Sequence, residues 1–485
     1  MNGLDNWALA SPEIFLAVAA MALLILGVFR GDKGADLVSA LSVASLGVAM
    51  ILVYREIDFT ARGHGTAFNG LFLVDAFTKS MKLLAFLGAA LAIVMSRAFF
   101  IRAGVWRFEY PVLVLLATLG MSVMISSNDL MTLYLGLELQ SLALYVVAAF
   151  QRDDARSTEA GVKYFVLGAV ASCMILYGAS LVYGFAGTTN FYGLKAAFQG
   201  GTPPVGVVIG LVFVLSGLVF KVSAAPFHMW TPDVYEGAPT PVTALFSVAP
   251  KIAALSLLVS VVMGPFRPLF AQWQQVIVAV AVLSSVWGAV AAIRQENIKR
   301  LMAYSSIGNM GYVLLGLAAG SEEGVRSVIV YMAIYLVMSV GTFACILSMR
   351  RRGAMVETIS DLAGLGRRQP MMALALMFCM FSMAGIPPLA GFFGKLNVFL
   401  AAIEARLYIP AAIAVLASVV GAYYYLRIVK VMYFDDAAAA FDRPVDREMG
   451  VVMGVSALFL FPVFPLFQEP ILKGAQKAAL TFFAQ

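Results

Sequence analysis

Apolar stretches about twenty residues long recur along this chain from one end to the other. Fourteen can be read, at roughly 7–29, 36–54, 73–95, 111–127, 129–150, 160–183, 205–229, 241–263, 273–293, 300–319, 325–349, 371–402, 408–433 and 449–467. A run of that length and character crosses a bilayer as a helix. The expected fold class is therefore an all-α integral membrane protein with about 14 transmembrane helices. Polar, turn-rich segments part the stretches, such as RGDKGAD at 30–36, QRDDARSTE at 151–159 and RRRGAMVETISDLAGLGRRQP at 350–370. Only SSND, 126–129, separates the fourth from the fifth. The stretch at 371–402 is too long for one straight helix, which predicts a tilt or a break.

Composition agrees and excludes several functions. The chain is 61% hydrophobic and 12% charged, where soluble domains sit near 45–50% and about 25%. The formal net charge of +6 is scattered over short loops, so no nucleic-acid partner is expected. Cys173, Cys345 and Cys379 lie in apolar runs without CxxC spacing and read as packing residues, which excludes iron–sulfur ligation. There are two histidines, and His64 reads as loop, so no membrane pair is available for a haem. Neither a phosphate loop nor a dinucleotide fingerprint is present. The chain is expected to hold no redox centre and no nucleotide. No Lys or Arg precedes Arg30, so the first run reads as a retained helix rather than a secretory signal.

Cytoplasmic loops carry an excess of Lys and Arg. One alternate set of loops holds 17 of them and the other, Arg55, Arg62, Lys195, Arg267, Arg326 and Arg406, holds 6. Both termini are thus expected on the outer, periplasmic side. One inner loop breaks the pattern: TPDVYEGAPTP, 231–241, carries Asp233 and Glu236 and no base. It reads as a tight turn, with Thr240 or a neighbour capping the next helix, but a turn does not explain the acidity.

Ionisable groups near span centres cost several kcal/mol when unpaired and are functional candidates by default. Long side chains at span ends snorkel instead, which accounts for Lys79, Lys82, Arg427 and Lys430. Four residues resist that account: Glu138 in YLGLELQSLALYV, Lys221 in GLVFKVSAAPFHMW, Lys251 in VAPKIAAL and Lys395 in GIPPLAGFFGKLNVF. They read either as static salt bridges or as a proton relay. Three lysines against one glutamate favours the relay, because a purely structural network would tend to balance its charge. Burial disfavours a lysine's proton and a nearby carboxylate restores it, so a movable Glu138 can load or discharge Lys221. Lys163, a few residues inside its span, reads equally as functional or snorkelling. Ser305, Asn309 and Tyr312 share one helical face that could hold water or simply pack.

Pro226 has no N–H and deprives the Val222 carbonyl of its partner; Pro387 and Pro388 do the same to Met383 and Ala384. Broken helices beside buried charges are a recurring design of ion-moving proteins. His228, seven residues after Lys221, would share its helical face, as an inward proton carrier or an interfacial aromatic.

FKVSAAPFHMWTPDVYEGAPTPVTA, RLMAYSSIGNMGY and GIPPLAGFFGK resemble the antiporter-like membrane subunits of bacterial proton-pumping NADH–quinone oxidoreductase, respiratory complex I. These share ancestry with subunits of multi-component sodium/proton antiporters. DVYEGAPTPVTA, Lys395 where the M type has glutamate, and a chain ending without the long lateral helix of the L type are similar to the N type. The resemblance implies two inverted five-helix repeats, at 111–263 and 273–433, with helices 7 and 12 broken. Residues 1–110 would hold helices 1–3, and 449–485 the last helix and tail. It implies that Glu138 and Lys221 form a coupling pair, that Lys251 is the central carrier, that Lys395 serves the second half-channel, and that Lys163 and His228 are accessory. Many relatives carry histidine where this chain has Asn309, which cannot titrate. The implied setting is the bacterial inner membrane, among other membrane and peripheral subunits and beside a neighbouring antiporter-like subunit. NADH, FMN, iron–sulfur clusters and quinone would be held by partner chains. A sodium/proton antiporter subunit, or a structural spacer with static charges, is the alternative.

Overall fold

The computed structural model describes residues 7–56, 64–200 and 203–483. Arg62, counted above among the outer-loop bases, and both chain ends lie outside the described residues. The architecture is helical throughout: α1 (Ser11–Arg30), α2 (Ala35–Glu56), α3 (Ala76–Arg102), α4 (Glu109–Ile125), α5 (Leu130–Ala148), α6 (Ala155–Ala186), α7 (Phe191–Ala197), α8 (Val205–Val222), α9 (Trp230–Gly237), α10 (Thr240–Met263), α11 (Phe270–Ala292), α12 (Ile298–Ala318), α13 (Glu322–Leu347), α14 (Leu365–Arg368), α15 (Pro370–Ala384), α16 (Ala390–Glu404), α17 (Tyr408–Phe434), α18 (Arg447–Leu458) and α19 (Phe464–Leu480). A β-hairpin, Gly65–Ala67 with Phe72–Val74, and a two-residue pairing, Arg350–Arg351 with Ala354–Met355, are the strands among the described residues.

The polar breaks start the helices by capping them. The Asp129 carboxylate of SSND accepts from the amides of Met131 and Thr132, so α5 begins one residue later. Asp75 forms a capping box with Thr78 at α3, and Asp154, Asn190, Asn297 and Ser321 cap α6, α7, α12 and α13. Between caps, small residues let backbones approach: a Cβ on Gly136 of α5 would lie 2.8 Å from the Met124 amide nitrogen of α4.

Among the described residues, ten helical stretches suit a membrane crossing by length and composition. The first, Trp7–Arg55, is a hairpin that turns at Gly31–Gly34 and packs α1 on α2. Helices α10, α12 and α13 are almost wholly buried, whereas α1, α6 and α17 present apolar side chains such as Val18, Phe165 and Leu416 outward, as a lipid-facing surface requires.

Several expectations are corrected. The last window is not one straight span: Arg447–Phe461 and Phe464–Leu480 meet at 80°. Phe461 is extended (φ −167°, ψ 129°) because it precedes a proline, where helical backbone is disfavoured. Thr240 does not cap; Pro239 holds that position and Thr240 opens α10. Cys173 is exposed, while Cys345 and Cys379 are packed inside. Lys82 does not snorkel: it is fully buried and pairs with Glu13 at 2.8 Å.

Candidate functional site

Both proline-bearing stretches are broken. Helix α8 ends at Val222, with Ser223 left-handed (φ 67°). Three residues later comes Pro226. Helix α15 ends at Ala384, with Gly385 left-handed (φ 87°) and Pro388 three residues on. The first break is held by cross-helix bonds: the Ala225 amide donates to Ser284 Oγ at 2.8 Å, and Trp230 Nε1 donates to the Phe220 carbonyl at 3.1 Å. Because residues 223–229 are not helical, His228 does not share a helical face with Lys221, contrary to the seven-residue spacing. It sits half-buried, its ring 5.9 Å from that of Trp287.

Lys221, one residue before the end of α8, is buried. Its Nζ donates to Ser141 Oγ at 2.8 Å and to Tyr145 Oη at 3.4 Å, both on α5. Glu138 lies one turn before Ser141 on the same helix, within electrostatic reach of that ammonium. It makes no ion pair with it; Glu138 Oε1 is shut from solvent without a hydrogen-bond partner among the described residues. The two are brought together but not joined.

Lys251 on α10 is 1% exposed, and its Nζ has no hydrogen-bond partner among the described residues. The nearest electron-rich surface is the ring of Tyr235, 5.5 Å from Nζ to the centroid. Lys395 on α16 donates to the Ala384 carbonyl at 3.0 Å and to Ser418 Oγ at 2.8 Å. The Ala384 carbonyl is the one that Pro388 strips of its helical partner, so the lysine refills the gap the proline opens. Gly385 makes this possible twice, by its left-handed backbone and because a Cβ there would come 3.0 Å from Lys395 Cδ. Tyr312 of α12 faces the same ammonium, 5.1 Å from Nζ to its centroid.

A row of buried hydroxyls joins three further helices. Tyr335 Oη donates to Ser306 Oγ at 2.9 Å, and Tyr331 Oη donates to Asn309 Oδ1 at 2.7 Å. Asn309 Nδ2 donates to Tyr425 Oη at 3.3 Å, and Ser305 Oγ and Tyr425 Oη are 2.5 Å apart. These groups come from α12, α13 and α17. Ser305 and Asn309 carried a sequence signal as one helical face; the tyrosines carried none, because an aromatic in an apolar span reads as packing.

Lys163 is not brought to the buried set. Its side chain is 41% exposed and bridges Glu159 and Asp233, each at 2.7 Å. Asp233 also takes Arg300 at 2.9 Å, and Glu236 takes the same guanidinium at 2.9 Å. Lys299 donates to the carbonyls of Glu236 and Ala238, each at 2.8 Å, and to Glu357 Oε1 at 3.0 Å. This explains the acidic loop at 231–241: it is the counter-charge for bases on α6 and α12. Burial raises the Asp233 carboxyl, but hydrogen bonds from Lys163 and Arg300 outweigh it and hold the group below its ordinary value. The sequence reading also missed Glu13, which accepts from Lys82 and from the Ser122 hydroxyl, joining α1, α3 and α4. Its sequence signal was a glutamate inside the first apolar span; nothing in the sequence joins it to Lys82.

A helical membrane protein with lysines and hydroxyls threaded through its interior, and two helices broken beside them, has the build of an antiporter-like membrane subunit. Residues 127–421 match the family described as NADH:quinone oxidoreductase/Mrp antiporter, TM. NADH-quinone oxidoreductase subunit N of Paramagnetospirillum magneticum is 58% identical over 477 residues, 97% of each chain. A chain of respiratory complex I from Thermus thermophilus is 32% identical, with a TM-score of 0.81 over 95% of this chain and 98% of that one. A chain of the Mrp complex from a Dietzia species shares the fold, with a TM-score of 0.87 at 22% identity over 99% and 98%. The chain belongs to this family, on the branch of NADH-quinone oxidoreductase subunit N.

Proposed function

We propose that the chain is a proton-translocating, membrane-arm subunit of NADH–quinone oxidoreductase. Protons move through Glu138, Lys221, Lys251 and Lys395, driven by quinone reduction in other subunits. The observation that carries this reading is that three deeply buried lysines have no carboxylate bonded to them. Lys221 and Lys395 rest on hydroxyl and carbonyl oxygens, and Lys251 on no hydrogen-bond acceptor among the described residues. A static network would have paired them, as Lys82 is paired with Glu13.

Glu138 is the adjustable charge, one helical turn from the hydroxyl that holds Lys221. Its approach stabilises the ammonium; its withdrawal sends the proton towards Lys251. The hydroxyl row of α12, α13 and α17 lies on the way to Lys395, and water beside Asn309 completes the path where that side chain cannot titrate. His228 and Lys163 serve as accessory groups near the inner surface.

The reading includes fourteen crossings, obtained from the ten stretches by counting the first hairpin twice and adding α4, the α15–α16 pair and the α18–α19 pair. It places inverted five-helix repeats at 111–263 and 273–433, flanked by helices 1–3 and the last helix. Both termini lie on the periplasmic side of the inner membrane. The partners are the peripheral and membrane subunits of complex I, including a neighbouring antiporter-like subunit. They hold NADH, FMN, iron–sulfur clusters and quinone.

Proton pumping measured beside NADH–quinone turnover in a Lys221→Ala complex tests the relay. Assembly with pumping lost supports it, and assembly with pumping unchanged refutes it. Loss of assembly alone would point to a spacer.

A further inference from the structure

Between α15 and α18 lies an apolar groove that the relay does not use. Its volume is about 540 Å³, and its walls include Met371, Phe378, Met453 and Leu458. The rings of Phe378 and Phe461, 5.5 Å apart, close one end. Two glycines keep it open: a Cβ on Gly450 or Gly454 would meet no atom within 4 Å. The groove follows α18 from Gly450 to Leu458, about 12 Å at 1.5 Å per residue. One leaflet of the hydrocarbon core is roughly 15 Å deep, half of about 30 Å. The depth therefore suits a chain that enters from one surface and stops near the midplane.

The surface end is basic. Arg443 lines the mouth, Arg447 lies one turn before Gly450, and Arg367 and Arg368 directly precede Gln369, which also lines it. None of these four guanidinium groups has an ion pair among the described residues. Two nearby acids are engaged elsewhere: Asp446 holds Arg102 and Arg350, and Asp442 accepts from the amides of Arg352 and Gly353. Glu448, beside Arg447, is exposed and leaves a net excess of bases at the mouth. Gln369 is 8% exposed, and its Oε1 is buried in the lining without a donor. The mouth thus offers cations for a phosphate and one acceptor for a hydroxyl, on the base-rich side of the protein. Basic clefts between membrane helices on that side suit anionic lipid headgroups.

We propose that this groove binds one anionic phospholipid with a hydroxyl-bearing headgroup. Its phosphate sits at Arg443 and Arg447, a headgroup hydroxyl donates to Gln369 Oε1, and one acyl chain lies against Gly450 and Gly454. The site is independent of the relay.

The test uses the assembled complex in nanodiscs carrying a trace of photoactivatable phosphatidylglycerol or phosphatidylcholine. The phosphatidylglycerol probe is expected to label peptides 369–378 and 443–461 several-fold more than the phosphatidylcholine probe. R443A with R447A should bring the two probes level, and G454L should remove labelling by both. Equal labelling of the wild type by the two probes, or unchanged labelling in G454L, overturns the proposal. So does disulfide capture of a G450C variant by a helix of a neighbouring subunit. The arginine pair lies at the surface and leaves the fold intact should G454L fail to assemble. NADH oxidation by the variants reports assembly, which keeps this result separate from the relay.

Discussion

Lys251→Met should make the protein more stable and, on the proposed relay, lower proton pumping by the complex. The two side chains are similar in length, so packing on α10 is retained. Taking an ammonium out of water costs several kcal/mol even after relaxation. In return Lys251 has, among the described residues, the ring of Tyr235 at 5.5 Å, and a desolvated cation–π contact contributes about 2 kcal/mol. The difference leaves an expected gain of about 1–4 kcal/mol for an apolar replacement. The same substitution at Lys82 should have the opposite sign. It strands Glu13 in a pocket where the carboxylate is 7% exposed, a change that costs about 3–5 kcal/mol. Both variants would be assayed in the purified complex, by thermal release of this subunit and by proton pumping per NADH oxidised. Lys251→Met should be released later than wild type and pump less. Release earlier than wild type, by as much as Lys82→Met, would show that Lys251 is a structural charge and sink the argument.

Three further outcomes follow. The double variant Glu13→Gln with Lys82→Met should recover most of the loss of either single change, to within about 1–2 kcal/mol; additive losses measured by the same release assay would contradict a shared buried pair. Lys395→Met should leave the Ala384 carbonyl unpartnered, cost about 1–3 kcal/mol, and speed amide exchange at 385–389 as the break loosens; unchanged exchange would mean that the lysine does not hold the break. Asp233 has a folded carboxyl below the ordinary value near 3.9, so its tether to Lys163 and Arg300 is fully present above that value and lost as pH falls through the folded one. Amide exchange across 230–237 should therefore separate wild type from Asp233→Asn at pH 7 and converge only once the pH has fallen below the lowered folded value; a difference that persists after the carboxyl is protonated would refute the charge tether.

The membrane class, the helix windows and the two breaks were legible because each rests on local chemistry. Apolar runs cannot remain in water, Asp129 caps whatever follows it, and a proline removes a hydrogen bond wherever it stands. Glu138, Lys221, Lys251 and Lys395 were visible for the same reason, as charges that a bilayer penalises. Lys82 was misread because depth along a helix does not reveal which face is buried. Glu13, its partner, lies on another helix, 69 residues earlier in a chain whose spacing says nothing of the pairing.

What the sequence determined alone was thus the kind of protein and the positions under strain. Only the tertiary structure decided which charges are paired. It put Glu13 against Lys82, Asp233 between Lys163 and Arg300, and Lys395 on the carbonyl that Pro388 frees, while leaving Lys251 without a hydrogen-bond partner among the described residues. Pairing is a matter of distances of about 3 Å between separate helices. Those distances come from how apolar faces pack together, and no stretch of one helix encodes them.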